Sequence, residues 1–568
     1  MAYFLKKATL KGRTYLSIVE SFYFHEKKGT AHKTFKSLGS VETLIANGIQ
    51  DPIAFYQEEV DKLNNERKTT TIHKISDIPP IKHLGYFPLK SILEKLDIKK
   101  FLDLYKLVTN FDFDLYSMLS ALVYARCVNP CSKLRTFHEV LPVLYDECNC
   151  SYDQILTAVE FFGNNYEKFV ELFTNQVKQK YSINTSKTYF DCTNFYFEID
   201  REDDFRRKGP SKENRKDPII GLGLLLDSNQ IPIGMKLYPG NESEKPILRN
   251  IISDMKNKNN IKGKTIHVAD KGLNCIQNIT ASILNGDGYL FSKSVKMLPE
   301  TEKTWIKLEN DWITVKDNDG KTLYRYKSCV DDFEYIVTDS NNKKKKVMLK
   351  EKRLVTYNPT LAKKQRREIN KMIERAKSLC YSQAKKEEYG ESSKYMSFVS
   401  IDENGEVGNN KIAATLNKAA IEKDLNLAGY NLLVTSETNM SDQEMYDTYH
   451  NLWRIEESFR IMKSDLDARP VFLQKEESIK GHFLICYLAV LLERIFQFHV
   501  LKNKYNSSEI IKFIKDFKVV KADNKFINIS FNSEFINELS ETYNLPLTHY
   551  LLSETQIKKG DELYVLNL

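Results

Sequence analysis

The spacing of hydrophobic residues changes along the 568-residue chain, and each change marks a different kind of secondary structure. From residue 1 to about 63, short alternating runs such as TYLSIVESFYF predict a small β-rich module, closed by a helix near DPIAFYQEEVDKL. The polar stretch NNERKTTTIHKISDIPPIKH is then typical of a linker. From about 86 to 180, hydrophobic residues recur every three or four positions, as in LYSMLSALVYAR, which predicts an all-α module.

Strand-like sequence returns at Lys187. KTYFDCTNFYFEI predicts one strand, and IIGLGLLLDSNQIPIGMKLY predicts two more around a turn at Asp227 to Gln230. Helix and strand then alternate through SEKPILRNIISDMKN, KTIHVAD, NCIQNITASILN and GYLFSKS. A three-stranded meander followed by this alternation predicts an α/β sheet that is covered on both faces.

The regular pattern stops between about 297 and 430, which predicts an inserted subdomain. Within it, DWITVKD and TLYRYKS are strand-like and KKQRREINKMIERAKS is helical. Another strand, GYNLLVTS, follows the insertion.

The next segment, YHNLWRIEESFRIMKSDLDARP (Tyr449 to Pro470), predicts a helix with a polar stripe. Residues seven apart on an α-helix are offset by only about 20°, so one face would carry Tyr449, Trp453, Glu456, Arg460 and Lys463. One interpretation is a surface ladder in which Glu456 pairs with Arg460. The other is a functional face that presents a carboxylate between cations.

Composition narrows the class of protein. Hydrophobic residues make up 42% and charged residues 28%, as in globular proteins, and the formal net charge of +8 permits a polyanionic partner without requiring one. The N-terminus lacks the apolar run of a signal peptide, and HFLICYLAVLLERIFQFHV is interrupted by Glu493 and Arg494, which favours a buried helix over a membrane span. Nine irregularly spaced cysteines indicate a reducing, cytoplasmic location.

The cysteines Cys127, Cys131, Cys148 and Cys150 raise the alternative of a zinc site. Their spacing is irregular and no histidine pair completes the set, so packed thiols are the favoured interpretation.

Two aspartates stand where predicted strands deliver side chains to the edge of a sheet. Asp191 lies inside the apolar strand YFDCTNFYF, where a carboxylate is costly unless a cation or hydrogen-bond donor meets it. Asp270 ends the strand TIHVAD, where an acid also serves as a turn former or helix cap. With Glu456 from the helix, these acids would form an oxygen-rich site suited to Mg²⁺ or Mn²⁺.

These motifs, in this order, resemble the DDE transposases that have an RNase H-like catalytic core. The resemblance is closest to bacterial insertion-sequence transposases of the "four" type, and among them to the "1634" group. It is carried by YFDCTNFYFE, by SKENRKDPIIGLGLLLDSNQIPIGMKLYPGNESE, by VADKGL, by WRIEESFRIMKSDLDARPVF and by GHFLICYLAVLLERI, with weaker similarity in KTFKSLGSVETL. In that family the helix motif is Tyr, two residues, Arg, three residues, Glu, six residues, Lys. Tyr449, Glu456 and Lys463 fit this motif, but Leu452 occupies the Arg position, for which Arg454 or Arg460 would substitute.

The resemblance implies a fold and a division of the chain. The fold is α/β, an RNase H-like core with a β-rich insertion, preceded by a small β-rich module and an all-α module. The expected ranges are 1–80 (β-rich module and linker), 81–182 (all-α), 183–296 with 428–500 (catalytic core), 297–427 (insertion) and 501–568 (C-terminal region).

The resemblance also implies an activity: binding of terminal inverted repeats, then metal-dependent DNA cleavage and strand transfer. Asp191, Asp270 and Glu456 would be the catalytic residues and would hold two Mg²⁺ (or Mn²⁺) ions per active site. The expected partner is double-stranded DNA, as transposon ends and target, bound by a dimer in a synaptic complex without a membrane, in a bacterial cytoplasm at the nucleoid. The residues expected to contact DNA are Tyr449, Trp453, Arg454, Arg460 and Lys463.

Several of these contacts have a plain alternative. Trp453 would stack on an unpaired base near the cut or would belong to the core. The lysine-rich runs KKATLKGR, KKKK (343–346) and KKQRRE (363–368) and the loop SKENR (Ser211 to Arg215) would face DNA or only solvent.

Two other functions compete with transposition. A metal-dependent nuclease or resolvase of the same fold would keep the acids but would not transfer strands. A DNA-binding protein derived from a transposase would have lost catalysis, and the three acids present in the sequence argue against it.

Overall fold

The computed structural model of the protein describes residues 3–24, 29–69, 79–105, 107–213, 215–258, 263–338, 343–381, 386–401, 411–522 and 525–567. It divides into two compact units, Met1–Ile78 and Pro79–Leu568.

The first unit is a three-stranded antiparallel sheet followed by two helices. Its elements are β1 (Tyr3–Leu10), β2 (Arg13–Phe24), β3 (Gly29–Ser40), α1 (Val41–Ala46) and α2 (Pro52–Thr69). Lys11 and Gly12 join β1 to β2 with φ of 47° and 75°, the paired positive values of the tight hairpin turn that matches strand twist. The predicted strands and closing helix are therefore present. Part of the predicted linker, 70–78, lies outside the described residues.

The second unit begins with helices. They are α3 (Phe87–Lys95), α4 (Lys99–Tyr105), α5 (Leu115–Val128), α6 (Lys133–Arg135), α7 (Tyr152–Asn164) and α8 (Tyr166–Tyr181), with a π-helical turn at Thr136–Val140 and a 3-10 turn at Leu141–Val143. A short strand that the helical pattern did not predict, β4 (Ile81–His83), precedes them and pairs with a strand near the C-terminus.

A nine-stranded sheet forms the centre of this unit. Its strands are β5 (Lys187–Tyr196), β6 (Ile219–Leu226), β7 (Pro232–Pro239), β8 (Ile266–Ala269), β9 (Gly288–Lys293), β10 (Ile313–Lys316), β11 (Thr322–Thr338), β12 (Lys344–Tyr357) and β15 (Tyr430–Thr435). Their spatial order is β10-β11-β12-β15-β9-β8-β5-β6-β7. The predicted meander β5-β6-β7 is antiparallel, and β8 and β9 then run parallel to β5.

The predicted insertion does not stand apart from this sheet. Three of its strands, β10 to β12, extend the sheet because β12 pairs with β15 in antiparallel register. The rest of it is made of α11 (Glu300–Lys307), α12 (Pro359–Tyr381), α13 (Lys418–Asn426), the two-stranded ribbon β13 (Met396–Ile401) and β14 (Lys411–Leu416), and 3-10 segments Val295–Met297 and Lys386–Tyr395.

The remaining helices cover the sheet and complete the chain. They are α9 (Glu244–Lys258), α10 (Ile276–Leu284), α14 (Asp442–His450), α15 (Trp453–Arg460), α16 (Glu476–Ile495), α17 (Ser507–Asp516), α18 (Glu534–Thr542) and α19 (Glu554–Asn567), with π-helical turns at Ile461–Asp465 and Phe496–Val500. The strands β16 (Lys518–Ala522), β17 (Lys525–Asn528) and β18 (Leu551–Ser553) pair with β4 in a four-stranded sheet.

Two hydrophobic layers enclose the central sheet. Along β5, Phe190 packs in the layer that holds α9 and α10, whereas Tyr189 packs in the larger layer that holds α8, α14, α15 and α16. Strand residues alternate between faces, so one strand contributes to both layers. β6 is buried along its whole length, as expected for a central strand covered on both sides.

Helix α16 is the centre of the larger layer. With its following turn it is long and apolar enough to cross a membrane, yet 83% of its most apolar window is buried inside the protein, which confirms the predicted buried helix. It crosses α7 closely, because a Cβ on Gly481 would lie 2.0 Å from the Val159 carbonyl oxygen. The helical region and the central sheet therefore share one core.

Candidate functional site

The two predicted aspartates lie side by side on neighbouring parallel strands, Asp191 inside β5 and Asp270 directly after the end of β8. Phe190 on β5 pairs in register with Ala269 on β8, so Asp191 and Asp270 occupy the next position of each strand. By alternation both belong to the face on which Tyr189 and Val268 pack, which is the face that holds α14 and α15. The strand order therefore brings together two acids that are far apart in sequence.

Asp191 carries a charge in a poorly solvated place. The pKa of Asp191 is raised to about 6, chiefly by burial and also by the nearby Glu244 and Asp270 carboxylates, against the opposing effects of Lys212 and of the Cys192 amide. That amide donates a hydrogen bond of 2.8 Å to Asp191 Oδ1. A nearby cation therefore favours the ionised form of Asp191 in this low-dielectric site.

Within the protein, Lys212 supplies that cation. Its Nζ lies 3.7 Å from Asp191 Oδ1 and 3.6 Å from Glu244 Oε1, and it donates to the Cys192 carbonyl oxygen. Burial alone would lower the pKa of Lys212, but the Asp191 and Glu244 carboxylates outweigh burial and raise it. The loop SKENR, for which only DNA contact or solvation was considered, therefore contributes the counter-ion of the site.

Tyr449 is held on the second aspartate. Its hydroxyl donates a hydrogen bond of 2.8 Å to Asp270 Oδ1, and burial, followed by the Asp270 charge, raises the pKa of the hydroxyl. A phosphate contact by this hydroxyl, as expected from the family motif, would require it to leave Asp270.

The predicted single helix from Tyr449 to Pro470 is wrong in its continuity, because it is interrupted at Asn451 and Leu452 and ends, through a π-helical turn, at Asp465. Helix α14 ends at His450, α15 begins at Trp453, and Ile461–Asp465 forms a wider π-helical turn. The Leu452 amide bonds to the Tyr449 carbonyl oxygen three residues back, which tightens the junction. The seven-residue stripe is therefore split among three segments.

Glu456 lies in the first turn of α15, which packs against β5. Ile455 and Phe459 anchor that helix in the core, and Glu456 faces outward and is exposed. Among the described residues no three His, Cys, Asp or Glu side chains converge closely enough to hold a metal ion. The structure thus places Asp191 and Asp270 together and leaves Glu456 on the neighbouring helix.

The surface-ladder interpretation of α15 is also wrong. Arg460 forms an ion pair of 3.1 Å with Asp465 and donates a hydrogen bond of 2.9 Å to Ser507, instead of pairing with Glu456. Trp453 is 47% exposed, so it is not a core residue, and the Arg454 guanidinium lies 4.0 Å from its ring centroid.

Lys463 lies on the π-helical turn and contacts the SKENR loop. Its Nζ lies 3.3 Å from Glu213 Oε1 and 5.3 Å from the centre of the Phe195 ring. Burial lowers the pKa of Lys463 to about 8, with a further lowering by Lys212 and an opposing effect of Asp191. Arg469 pairs with the same Glu213 carboxylate, which ties this turn to the SKENR loop.

Four residues at this site were missed as site residues in the sequence: Lys212, Glu213, Glu244 and Arg469. Their signal was weak, because charged residues in polar loops are ordinarily solvated. Only the folded chain shows that Lys212 bridges two carboxylates and that Glu213 joins two cations.

The predicted alternative of a cysteine metal site has no support in the structure. All nine cysteines are free, Cys127 is buried, and Cys148 and Cys150 lie 3.7 Å apart at their sulfur atoms. No metal-binding group involving them is found among the described residues.

Taken together, this region of the sheet presents adjacent carboxylates near an exposed lysine, Lys212, and a half-buried lysine, Lys463. Oxygen donors of this kind bind hard divalent cations, and lysines neutralise phosphate charge. The arrangement is chemically suited to contact with a divalent cation and with a phosphate group.

Part of the chain matches a known protein family. Residues 307–492 match the family model described as "Transposase DDE domain". The matched segment contains Glu456 and Lys463 and lies C-terminal to Asp191 and Asp270. No curated protein matches the sequence.

A solved structure aligns with much of the chain. It is the cryo-EM structure of the piggyBac transposase synaptic complex with hairpin DNA, which aligns with 70% of this chain and 68% of that chain at 11% identity and a TM-score of 0.36. At that score the alignment carries no argument about fold or function.

Proposed function

We propose that the protein is a DDE-type DNA transposase with an RNase H-like catalytic core. The observation that carries this proposal is the pair of aspartates on adjacent parallel strands, Asp191 inside β5 and Asp270 directly after β8. The sheet around them has the order β7-β6-β5-β8-β9, an antiparallel meander followed by two parallel strands, which supports the RNase H-like interpretation. The match of residues 307–492 to a transposase domain supports the activity independently.

Two neighbouring carboxylates, Asp191 and Asp270, support binding of a divalent metal ion, and Lys212 now compensates the Asp191 charge. Glu456, which is exposed on α15, does not converge with them in this structure. Mg²⁺ or Mn²⁺, two ions per site, would be held by Asp191, Asp270 and Glu456. Bound ions of this kind activate a water or 3′-hydroxyl nucleophile and stabilise the departing oxygen in phosphodiester cleavage and strand transfer.

The other residues of the site prepare it for DNA. Tyr449 fixes the orientation of Asp270 through its hydrogen bond. Lys463 and Lys212 place positive charge beside the aspartates, where a scissile phosphate would be neutralised. The exposed ring of Trp453 is available to stack on a base. Arg454 and Arg460 would supply the positive charge that the family motif places at position 452, where this chain has leucine.

The finer assignments extend the same proposal. The lysine-bearing first unit would bind terminal inverted repeats, two copies of the chain would hold two transposon ends, and the element would belong to the bacterial "1634" group. These assignments rest on the sequence resemblance. The lysine and arginine side chains of α12 (residues 363–367) are exposed, as a DNA-facing surface requires.

The test uses purified full-length protein, Mg²⁺ or Mn²⁺, and labelled duplexes that span both boundaries of the element encoding the chain. Cleavage at the boundaries and joining of the freed 3′ ends to a target plasmid are expected. Asp191→Asn and Asp270→Asn should each reduce cleavage by about 10³-fold or more, since each removes several kcal/mol of metal-dependent stabilisation. Asp254→Asn, a half-buried acid on α9 that pairs with Lys258, is the matched control.

Glu456→Gln should cause a comparable loss, and Glu476→Gln, also an acid in the first turn of its helix, should not. Cleavage that survives Asp191→Asn or Asp270→Asn would overturn the proposal. Cleavage without joined products would instead identify a nuclease, and DNA binding without cleavage by the wild-type protein would identify a binding protein.

A further inference from the structure

A second cluster of charged side chains lies away from the aspartates. It surrounds a cavity of about 470 Å³ between the end of α5, the α6 segment and the loop that follows Lys463. The cavity is lined by Arg126, Lys133, Leu134, Asp467, Phe472 and His482, among other residues. None of the functions assigned to the aspartate site involves these side chains.

Two buried cations face this cavity without a carboxylate partner. Arg126 is 5% exposed and Lys133 is 6% exposed. The Arg126 guanidinium donates to the carbonyl oxygens of Cys131 (2.9 Å) and Leu466 (3.4 Å), which leaves other N–H groups available. Among the ion pairs and hydrogen bonds of the described residues, neither cation meets an acid, and Lys133 Nζ has no hydrogen-bond acceptor. Burying cations in this way is costly unless an anion compensates them.

The surrounding groups add to that cost. Burial, followed by the Arg126 charge, lowers the pKa of Lys133 to about 7. Burial, with Arg126 and Lys133, also holds the pKa of His482 below its ordinary value, and the ring lies 3.3 Å from the Ala468 carbonyl oxygen. Asp467 is the one acid among the described residues that line the cavity, and it is exposed at the rim. The cavity is therefore positively charged at its base.

Two exposed apolar side chains also lie at the rim of the cavity. Phe472 is 73% exposed and Leu134 is 49% exposed. A large exposed ring beside a buried cationic pocket is the arrangement with which proteins hold a phosphate and pack on the adjoining sugar or base. The cavity also adjoins the aspartate site along the chain, because Leu466, whose carbonyl accepts from Arg126, lies three residues after Lys463.

We propose that this cavity binds one backbone phosphate of DNA, with Arg126 and Lys133 neutralising the phosphate and Phe472 packing against the neighbouring nucleotide. The proposal rests on the proposed function, since it takes DNA as the substrate, and it adds a second anchoring point for the strand that leaves the aspartate site. A free inorganic phosphate has the same chemistry, and the experiment distinguishes the two sources.

The test measures binding of the full-length protein to a labelled boundary duplex in EDTA, so that cleavage does not enter the result. Fluorescence anisotropy is recorded as a function of salt. Lys133→Gln should weaken binding about tenfold at 0.1 M salt and lower the slope of log K against log salt by about 0.9, the effect of losing one phosphate contact. Lys99→Gln, an exposed lysine on α4, is the matched control and should leave both unchanged.

A second pair of variants leaves the buried groups intact. Leu134→Glu places an acid at the exposed rim and should weaken binding, whereas Leu134→Gln has a similar size and should not. Phe472→Ala should weaken binding without changing the salt slope, because it removes a neutral contact.

The outcomes separate the explanations. Unchanged affinity and slope in Lys133→Gln, or equal effects of Leu134→Glu and Leu134→Gln, would overturn the inference. If inorganic phosphate raises the melting temperature of the wild type but not that of Lys133→Gln, and DNA binding is the same in both, the cavity binds a free anion. That result would overturn the DNA assignment. Loss of boundary cleavage by the wild type, with the Lys133 effect on binding intact, would reject the transposase function alone.

Discussion

The aspartate site and the cationic cavity are two answers to the same problem of burying charge. At the aspartate site the chain provides the missing partner, because Lys212 lies between Asp191 and Glu244. In the cavity it does not, since Arg126 and Lys133 face a space without a paired acid among the described residues. One segment, the turn and loop from Lys463 to Phe472, contributes residues to both places.

The two places differ in how a buried charge is compensated in the protein without a ligand. A carboxylate pair that is to hold cations can be stabilised beforehand by a lysine that moves aside, whereas a cationic pocket without an acid stores an unfavourable charge until a ligand arrives. Substitutions that remove these charges should therefore have opposite effects on stability at the two places.

The largest effect on stability is expected at the cavity. Lys133→Met should raise the free energy of unfolding at pH 6 by on the order of 2 kcal/mol, because it removes an uncompensated buried cation. The pKa of Lys133 in the fold, about 7, lies below its usual 10.5, so the folded protein binds fewer protons between these values and its stability rises with pH there. The advantage of methionine should therefore be greatest below pH 7 and shrink toward pH 10.

Denaturant unfolding of both proteins at pH 6 and pH 9.5, in buffer free of phosphate, measures this difference. Lys99→Met is the exposed control. An equal effect at both pH values, or a loss of stability at pH 6, would mean that Lys133 is not held as an unpaired cation.

At the aspartate site the sign should reverse. Lys212→Met in EDTA should lower the free energy of unfolding by about 1–2 kcal/mol, a value reduced for the partial exposure of the lysine side chain. Adding Mg²⁺ should then stabilise the variant more than the wild type, because the ion replaces the lost cation. Thermal unfolding with and without Mg²⁺ tests this expectation, with Lys216→Met in the same loop as control. Equal Mg²⁺ responses would show that Lys212 is not the counter-ion of the metal ligands.

The smallest effect is expected for Tyr449→Phe. Loss of the hydrogen bond to Asp270 should cost about 1 kcal/mol and slow boundary cleavage about fivefold, without changing DNA affinity in EDTA. Tyr446→Phe, one helical turn earlier with its ring stacked on Tyr324, is the control. A drop in affinity in EDTA would instead support the phosphate contact that the sequence motif predicts for Tyr449.

Much of the fold was predictable because its elements have strong local patterns. The meander β5 to β7, the parallel strands β8 and β9, and the helices between them all lie where periodicity placed them. The aspartates were predictable for a related reason, since an acid inside or directly after an apolar strand conflicts with its surroundings.

Other features depended on partners distant in the chain. The pairing of β12 with β15 and of β4 with β16 has no local signal, because any exposed strand edge can accept another strand. The break at Asn451 and Leu452 was also missed, since both residues are tolerated in a helix and the interruption is set by what α14 and α15 each pack against.

The sequence by itself determined which segments are strands and helices and which acids conflict with their surroundings, because both follow from periodicity and from the cost of burying charge. The tertiary structure decided which charges meet. It placed Lys212 between Asp191 and Glu244, moved the Tyr449 hydroxyl to Asp270, and left Arg126 and Lys133 facing an open cavity. Some of these contacts join residues that are hundreds of positions apart in the sequence. They are established only when the sheet packs against its covering helices.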